Sequence, residues 1–283
     1  MAERSIDDPV GAEPPVRMIA TDIDGTMIRS DGSLAPRVKR ALHDAVDAGI
    51  HVVPATGRPV IVAEDVIAAA ELPSYWVFAN GAITRHLGRD ELIRGFWIDR
   101  ELTGRLIALI RRRLPAAGVA VEFETTVAFE HGFERVVPVV PGVPATDDVL
   151  GTLADGAPEH RRIQKVLVFD LSVDIDELFR EVSEVVEDTA VVSYSGLPFV
   201  ELAASQVTKA TALELLVADL GLTAAEVASF GDNHNDVSML TWSGRSYAMA
   251  NATDDAKEAA GEVIATNDED GLAIKVEELL AGR

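Results

Sequence analysis

Four short stretches carry side chains that could do chemistry together. The apolar run Met18-Ile19-Ala20 leads into Thr21-Asp22-Ile23-Asp24-Gly25-Thr26, with two carboxylates one residue apart. Thr56-Gly57-Arg58, Lys209 and Gly231-Asp232-Asn233-His234-Asn235-Asp236 follow in order. Carboxylates gathered from Asp22, Asp24, Asp232 and Asp236 would repel, raise one another's pKa values and oppose folding unless a cation sat among them. A hard divalent ion answers that problem, and Mg2+ suits a site of a few carboxylates, waters and phosphate oxygens. With one oxygen on the metal, Asp22 could attack phosphorus with the other and form an aspartyl-phosphate. Asp24 could protonate the leaving oxygen and then take a proton from the hydrolytic water. The Thr56 hydroxyl and the backbone amides after it could bind phosphoryl oxygens, with Lys209 supplying positive charge. Gly25 would let the chain turn so that both carboxylates face one pocket.

Such groups need a frame that brings them to one edge. The pattern predicts a strand over 17–21, a helix over 36–48, a strand over 50–54, a helix over 59–70 and a strand over 75–78. Ser33 is expected to cap the first helix, Pro36 to open it and Gly49 to close it. Short apolar strands joined by helices imply a parallel sheet buried on both faces. In such sheets ligands sit at the carboxyl ends of the strands, where Asp22, Thr56, Asn80-Gly81 and Asp232 all fall.

After residue 82 the rhythm changes. A helix is expected over 101–114, strands over 119–123 and 127–129, a Pro/Gly/Val-rich stretch over 137–144, a strand over 164–169, a helix over 175–187, and strands over 191–194 and 199–202. From 208 helices and strands alternate again, with strands at 227–230, 246–249 and 263–265. The outer parts therefore read as one discontinuous α/β domain, 17–84 and 195–283, interrupted by an α/β unit over 85–194. Residues 1–16 read as a frayed tail.

Composition narrows the class. Of 283 residues, 48% are hydrophobic and 25% charged, enough apolar side chain for a large core or two. A formal charge of -22 opposes a nucleic-acid or anionic-membrane partner, while a small anionic substrate stays open because metal and a few cations can reverse the potential in one pocket. Arg111-Arg112-Arg113 falls in a helical pattern and reads as a solvated face. With no cysteine, disulfide and thiolate chemistry are excluded and the chain is compatible with a reducing cytoplasm. No apolar run approaches the roughly 20 residues that span a bilayer, and the first residues lack a signal-peptide pattern.

Together these residues make the chain resemble the haloacid dehalogenase superfamily, in its Cof-type, sugar-phosphatase-like branch. Asp22-Ile-Asp24-Gly25-Thr26, Thr56-Gly57-Arg58, Lys209 and Gly231-Asp232-x-x-Asn235-Asp236 match the superfamily's motifs in order. The resemblance implies a Rossmann-like parallel-sheet core with a large α/β cap inserted between the second and third motifs. It implies Asp22 as nucleophile, Asp24 as acid/base, and Mg2+ held by Asp22, the Asp24 carbonyl and Asp232. Asp236 would be a further ligand or the partner that orients Lys209. Thr56, Gly57, Arg58, Lys209 and Asn235 would meet the phosphate, and Asn80, Gly81 and Asn251 would line the pocket. Ala203-Ala204-Ser205-Gln206, Ala210 and Ala250 depart from the branch's usual residues.

Each motif also has a plainer reading. Aspartates favour turns, Thr56 could simply end a strand, and Arg58 could meet substrate or form a surface ion pair. His234 is expected to pack in its loop or face solvent; Glu130, His131 and Phe133 could form a cap loop that meets the substrate, the plainer reading being a surface hairpin turn, and Trp76, Trp97 and Trp242 read as core. The expected activity is Mg2+-dependent hydrolysis of a small phosphorylated metabolite. A phosphosugar mutase using the same aspartyl-phosphate and a non-catalytic phospho-responsive module are the alternatives. Oligomeric state leaves no trace in the sequence.

Overall fold

In the computed structural model of the chain, residues 14–123, 126–136, 145–149, 151 and 162–282 are described. Strand β1 (Met18–Thr21) is buried at every residue, as a strand covered on both faces must be. It lies between β2 (His51–Pro54) and β11 (Val227–Gly231), and β12 (Arg245–Met249) and β13 (Glu262–Ile264) extend the sheet. Every pairing is parallel, in the order β13-β12-β11-β1-β2.

Alternation along these strands divides the core in two. Ile19, Val52 and Ala228 face Val38 and Leu42 of α1 (Pro36–Asp47) and Leu272 and Val276 of α8 (Gly271–Ala281). Met18, Ala20 and Val53 face Leu213 and Leu216 of α5 (Lys209–Asp219) and Met239 of α6 (Val237–Trp242). The short α7 (Asp254–Ala259) covers the far edge.

Local signals hold in part. Pro36 opens α1 and Gly49, at φ +81°, follows its end. Ser33 is not the cap: its hydroxyl bonds Asp31 Oδ1 at 2.6 Å, and Ala35 precedes the helix. The helix expected over 59–70 is shorter, because the β-branched run Val60–Val62 makes only a tight turn and α2 (Glu64–Ala70) starts at two acidic residues suited to a helix N-terminus.

The third expected parallel strand, β3 (Tyr75–Phe78), touches β2 through a single bridge, Ala55 with Val77. Thr56 N–H donates to Val77 O at 2.8 Å, so the row of β2 that faces β3 includes position 54. Pro54 has no N–H to offer there, and the ladder stops. β3 instead pairs antiparallel with β4 (Ile83–His86), which pairs with β5 (Glu91–Gly95), a small sheet the sequence reading missed.

The inserted segment forms an antiparallel sheet, β7-β6-β8-β10-β9, from β6 (Gly118–Phe123), β7 (Val127–Phe129), β8 (Ile163–Phe169), β9 (Ala190–Ser193) and β10 (Val200–Ala204). β10 pairs with β8 and β9 and so stays with this sheet past the boundary expected at residue 194, since its backbone groups find their partners there. Helices α3 (Arg100–Arg113) and α4 (Ile175–Val186) cover one face, packing Ile107, Ile110 and Val182 on Val119, Val121 and Val166. Of the expected tail, residues 1–13 lie outside the described residues, whereas Val16 is buried and Pro14 O accepts from Arg245. The stretch over 137–144 also lies outside them.

Candidate active site

Parallel pairing of Thr21 with Phe230 makes β1 and β11 end side by side, and Asp22 N–H continues the ladder to Phe230 O at 2.9 Å. Asp22 and Asp232 therefore leave the sheet as neighbours. Gly25 turns with φ +79°, and a Cβ there would stand 2.2 Å from Asp232 Oδ2. Only glycine lets the two loops approach so closely.

Thr26 Oγ1 donates to Asp232 Oδ1 at 2.8 Å. Asp236 is fully buried; its Oδ2 accepts from the amides of Asp232 and Asn233, each at 3.0 Å. Its Oδ1 accepts from Lys209 Nζ at 2.6 Å, and Lys209 also donates to Asp22 Oδ1. Lys209 opens α5 behind a Thr208–Thr211 capping box. Gly81, at φ +107°, lets the turn after β3 pass against that helix start, where a Cβ would stand 2.2 Å from Thr208 O.

Asp22, Asp232 and Asp236 can each present an oxygen within 4.8 Å of the others. Burial raises the Asp22 carboxyl well above its usual range; Lys209 opposes this, and Asp236, Asp232 and Asp24 add to it. Asp232 is pushed up to about 7 by burial and then by Asp236. Burial works against the Lys209 charge, but Asp22 and Asp236 outweigh it and raise its pKa above the ordinary value. One ammonium among three buried carboxylates leaves an excess of negative charge, which an oxygen-seeking divalent ion would neutralise.

The remaining expected groups surround this trio. Thr56 is buried, and its Oγ1 accepts from Arg58 N at 3.0 Å. The Asp24 carboxylate stands apart from the trio, paired with Arg58 through Nε at 2.8 Å. Asn80, left-handed at φ 54°, accepts from Asn235 Nδ2 at 2.9 Å and donates to Glu201 Oε2. Gly57 lies over that pair. Asn251 braces a loop instead, donating to Gly25 O at 2.8 Å. His234, expected to pack in its loop or face solvent, reaches the inserted unit instead, stacked on Tyr194 at 4.9 Å, and is bonded to Asp255 at 2.6 Å. Arg111 and Arg113, expected as a solvated face, make ion pairs with Glu130 and Glu181.

The inserted sheet turns its helix-free face toward the site. Lys165, buried, donates to Gly57 O at 2.7 Å and to Glu201 Oε2 at 3.0 Å, with Glu122 beside it at 3.4 Å. These residues, like Thr26, escaped the sequence reading of the site. A lysine inside the strand Ile-Gln-Lys-Val-Leu-Val-Phe was the available signal, since a charge there needs a partner. A cavity of about 430 Å³ separates this face from Asp22 and Asp24. Phe133, expected in a surface turn, is buried and lines it.

A parallel sheet that converges aspartates and a lysine at its carboxyl edge, beneath an inserted α/β unit, defines a Rossmann-like hydrolase. The chain belongs to the haloacid dehalogenase-like hydrolase family, whose profile matches residues 19–276. It is 25% identical over 260 residues to the 5-amino-6-(5-phospho-D-ribitylamino)uracil phosphatase YcsE of Bacillus subtilis, covering 91% of this chain and 93% of that one. The crystal structure of SMU.1108c from Streptococcus mutans superposes with a TM-score of 0.81 at 25% identity, over 94% of this chain and 99% of that one. The subclass IIB sugar phosphatase BT4131 shares the fold, with a TM-score of 0.78 at 22% identity over 93% and 98% of the two chains. The protein is thus an enzyme, a phosphatase of this family.

Proposed function

We propose that the enzyme hydrolyses a small soluble phosphate monoester, a sugar phosphate or similar metabolite, through an aspartyl-phosphate on Asp22 and with Mg2+ as cofactor. The convergence of Asp22, Asp232, Asp236 and Lys209 in one buried cluster carries this reading. Asp22, Asp232 and the Asp24 carbonyl would hold the ion. Both Asp236 oxygens are already engaged, by Lys209 and by two amides, so Asp236 is the positioning residue of that lysine. When bound, the ion supplies Lewis-acid neutralisation of the charge on the phosphoryl group.

Asp22 Oδ attacks phosphorus while the bond to the leaving oxygen breaks, and Asp24 delivers a proton to that oxygen. Water then attacks the phospho-aspartate, Asp24 takes back a proton, and phosphate leaves. Arg58 sets where the Asp24 carboxylate waits. Lys209 and the amides after Thr56 face the transferred oxygens. The inserted unit, acting as a cap over 85–194 with β10 added, excludes bulk water and meets the leaving group. Cytoplasmic location belongs to the same proposal, supported by the absence of cysteine and by the lack, among the described residues, of a helix long and apolar enough to cross a membrane.

The test is release of inorganic phosphate from a panel of phosphorylated metabolites with Mg2+, native enzyme against Asp22→Asn. Loss of about 1,000-fold or more in the variant is expected. Full turnover by Asp22→Asn overturns the mechanism, and an isomerised phosphosugar without free phosphate would make the enzyme a mutase.

A further inference from the structure

The helix-free face of the inserted sheet changes character across its width. Antiparallel register fixes which side chains share it. One cross-strand row reads Phe129, Ala120, Leu167, Glu201; the next reads Val127, Glu122, Lys165, Ala203. Phe133 stands 5.9 Å from both Phe129 and Phe199, ring centre to ring centre, and all three rings line the cavity that reaches Asp22. One wall is therefore aromatic, and the polar part of this face is a lysine with two glutamates.

The two glutamates are not equivalent. Glu201 is satisfied at both oxygens, by Ser195 Oγ at 2.9 Å on one and by Lys165 and Asn80 on the other. Glu122 is 8% exposed and lines the cavity, yet its Oε2 has no hydrogen-bond partner among the described residues. Lys165 directs its two hydrogen bonds to Gly57 O and Glu201 Oε2 and meets Glu122 Oε2 as a longer ion pair at 3.4 Å. Burial raises the Glu122 carboxyl above its usual range, with Lys165 opposing and Glu201 adding. Two carboxylates against one ammonium leave a buried negative surplus that a donor from outside the chain would relieve.

We propose that Glu122 is the specificity-determining residue of this pocket: it accepts a hydrogen bond from an ammonium group on the leaving group of the substrate, whose apolar, ring-bearing body packs on Phe129, Phe133 and Phe199. The substrate class is then an amine-bearing aromatic phosphomonoester. A bare polyol could donate one hydroxyl to Glu122 but would bring no counter-charge to it and would set its other hydroxyls against three phenyl rings. This inference rests on the phosphatase reading above.

The test compares, with Mg2+, phenyl phosphates bearing a para aminomethyl, aminoethyl or aminopropyl arm, each matched to the alkyl ester lacking the amine. At the best arm length the native enzyme should prefer the amine in kcat/KM by about 10-fold or more, and Glu122→Gln should bring the ratio to about one. No preference at any arm length, or a preference that survives in Glu122→Gln, overturns the assignment. The native series decides alone if the variant fails to fold. Hydrolysis of p-nitrophenyl phosphate without amine discrimination defeats the Glu122 assignment only. No hydrolysis of any ester defeats the phosphatase reading, and this inference with it.

Discussion

Lys209 and Lys165 are both sealed from water, and each faces two carboxylates: Asp22 and Asp236 in one case, Glu122 and Glu201 in the other. The first cluster is built on loops at the ends of parallel strands, from short side chains whose places are set by close-packed glycines. The second is built on the face of an antiparallel sheet, from longer side chains reaching off regular strands. In both a carboxylate is left over, Asp232 in the loops and Glu122 on the sheet. The surplus on rigid loops suits a hard ion, and the surplus beside an aromatic wall suits a substrate group. Buried lysine and acid alone thus do not define a catalytic centre; what the spare carboxylate faces does.

The sharpest way to break this comparison is to remove the two cations in turn. Lys209→Met leaves Asp22 and Asp236 buried without a counter-charge, so a loss of about 3 to 5 kcal/mol by urea unfolding is expected, with activity lost as well. Near-native stability would mean that the cluster is held by its backbone alone. Lys165→Met should cost less stability, near the lower end of that range at about 3 kcal/mol, because burial already pushes the Glu122 carboxyl toward its neutral form and Glu201 keeps Ser195 and Asn80 as donors. It also removes the tie to Gly57 O, so the Thr56–Arg58 loop loosens and kcat/KM should fall by about 10-fold through a misplaced phosphate site. An unchanged kcat/KM would separate the two clusters entirely.

Metal removal gives a smaller, pH-dependent effect. The ordinary Asp232 value is 3.8 and the folded value about 7, so the fold binds the extra proton more tightly than the unfolded chain does. Stability from this group is present at low pH and is lost as pH rises from about 4 to about 7. The chelated protein should therefore melt lower at about pH 7.5 than at about pH 5, and millimolar Mg2+ should restore the melting point at the higher pH. Equal melting points in chelator would show that Asp232 carries no such burden.

Much of the first cluster was legible because its residues fall in short runs. Asp22, Asp24 and Gly25 are consecutive or nearly so, Asp232 and Asp236 share one loop, and both runs follow apolar strands of one expected parallel sheet, whose carboxyl edge announced a common pocket. The small sheet of β3, β4 and β5 was less visible, since Pro54 diverts a strand that otherwise reads as parallel. The second cluster was hidden by distance along the chain. Glu122, Lys165 and Glu201 lie on three strands, and their meeting depends on register.

The chain order itself determined the alternating strands and helices, the acidic strand ends and the lysine at a helix start, because backbone propensity and apolar period act over a few residues. The tertiary structure alone decided that Asp24 waits on Arg58, that Asp236 is spent on Lys209, and that a glutamate held only by an ion pair with Lys165 shares a cavity with three phenylalanine rings. Those outcomes turn on which charges remain after all others are paired, and that balance exists only once distant strands have come together in register.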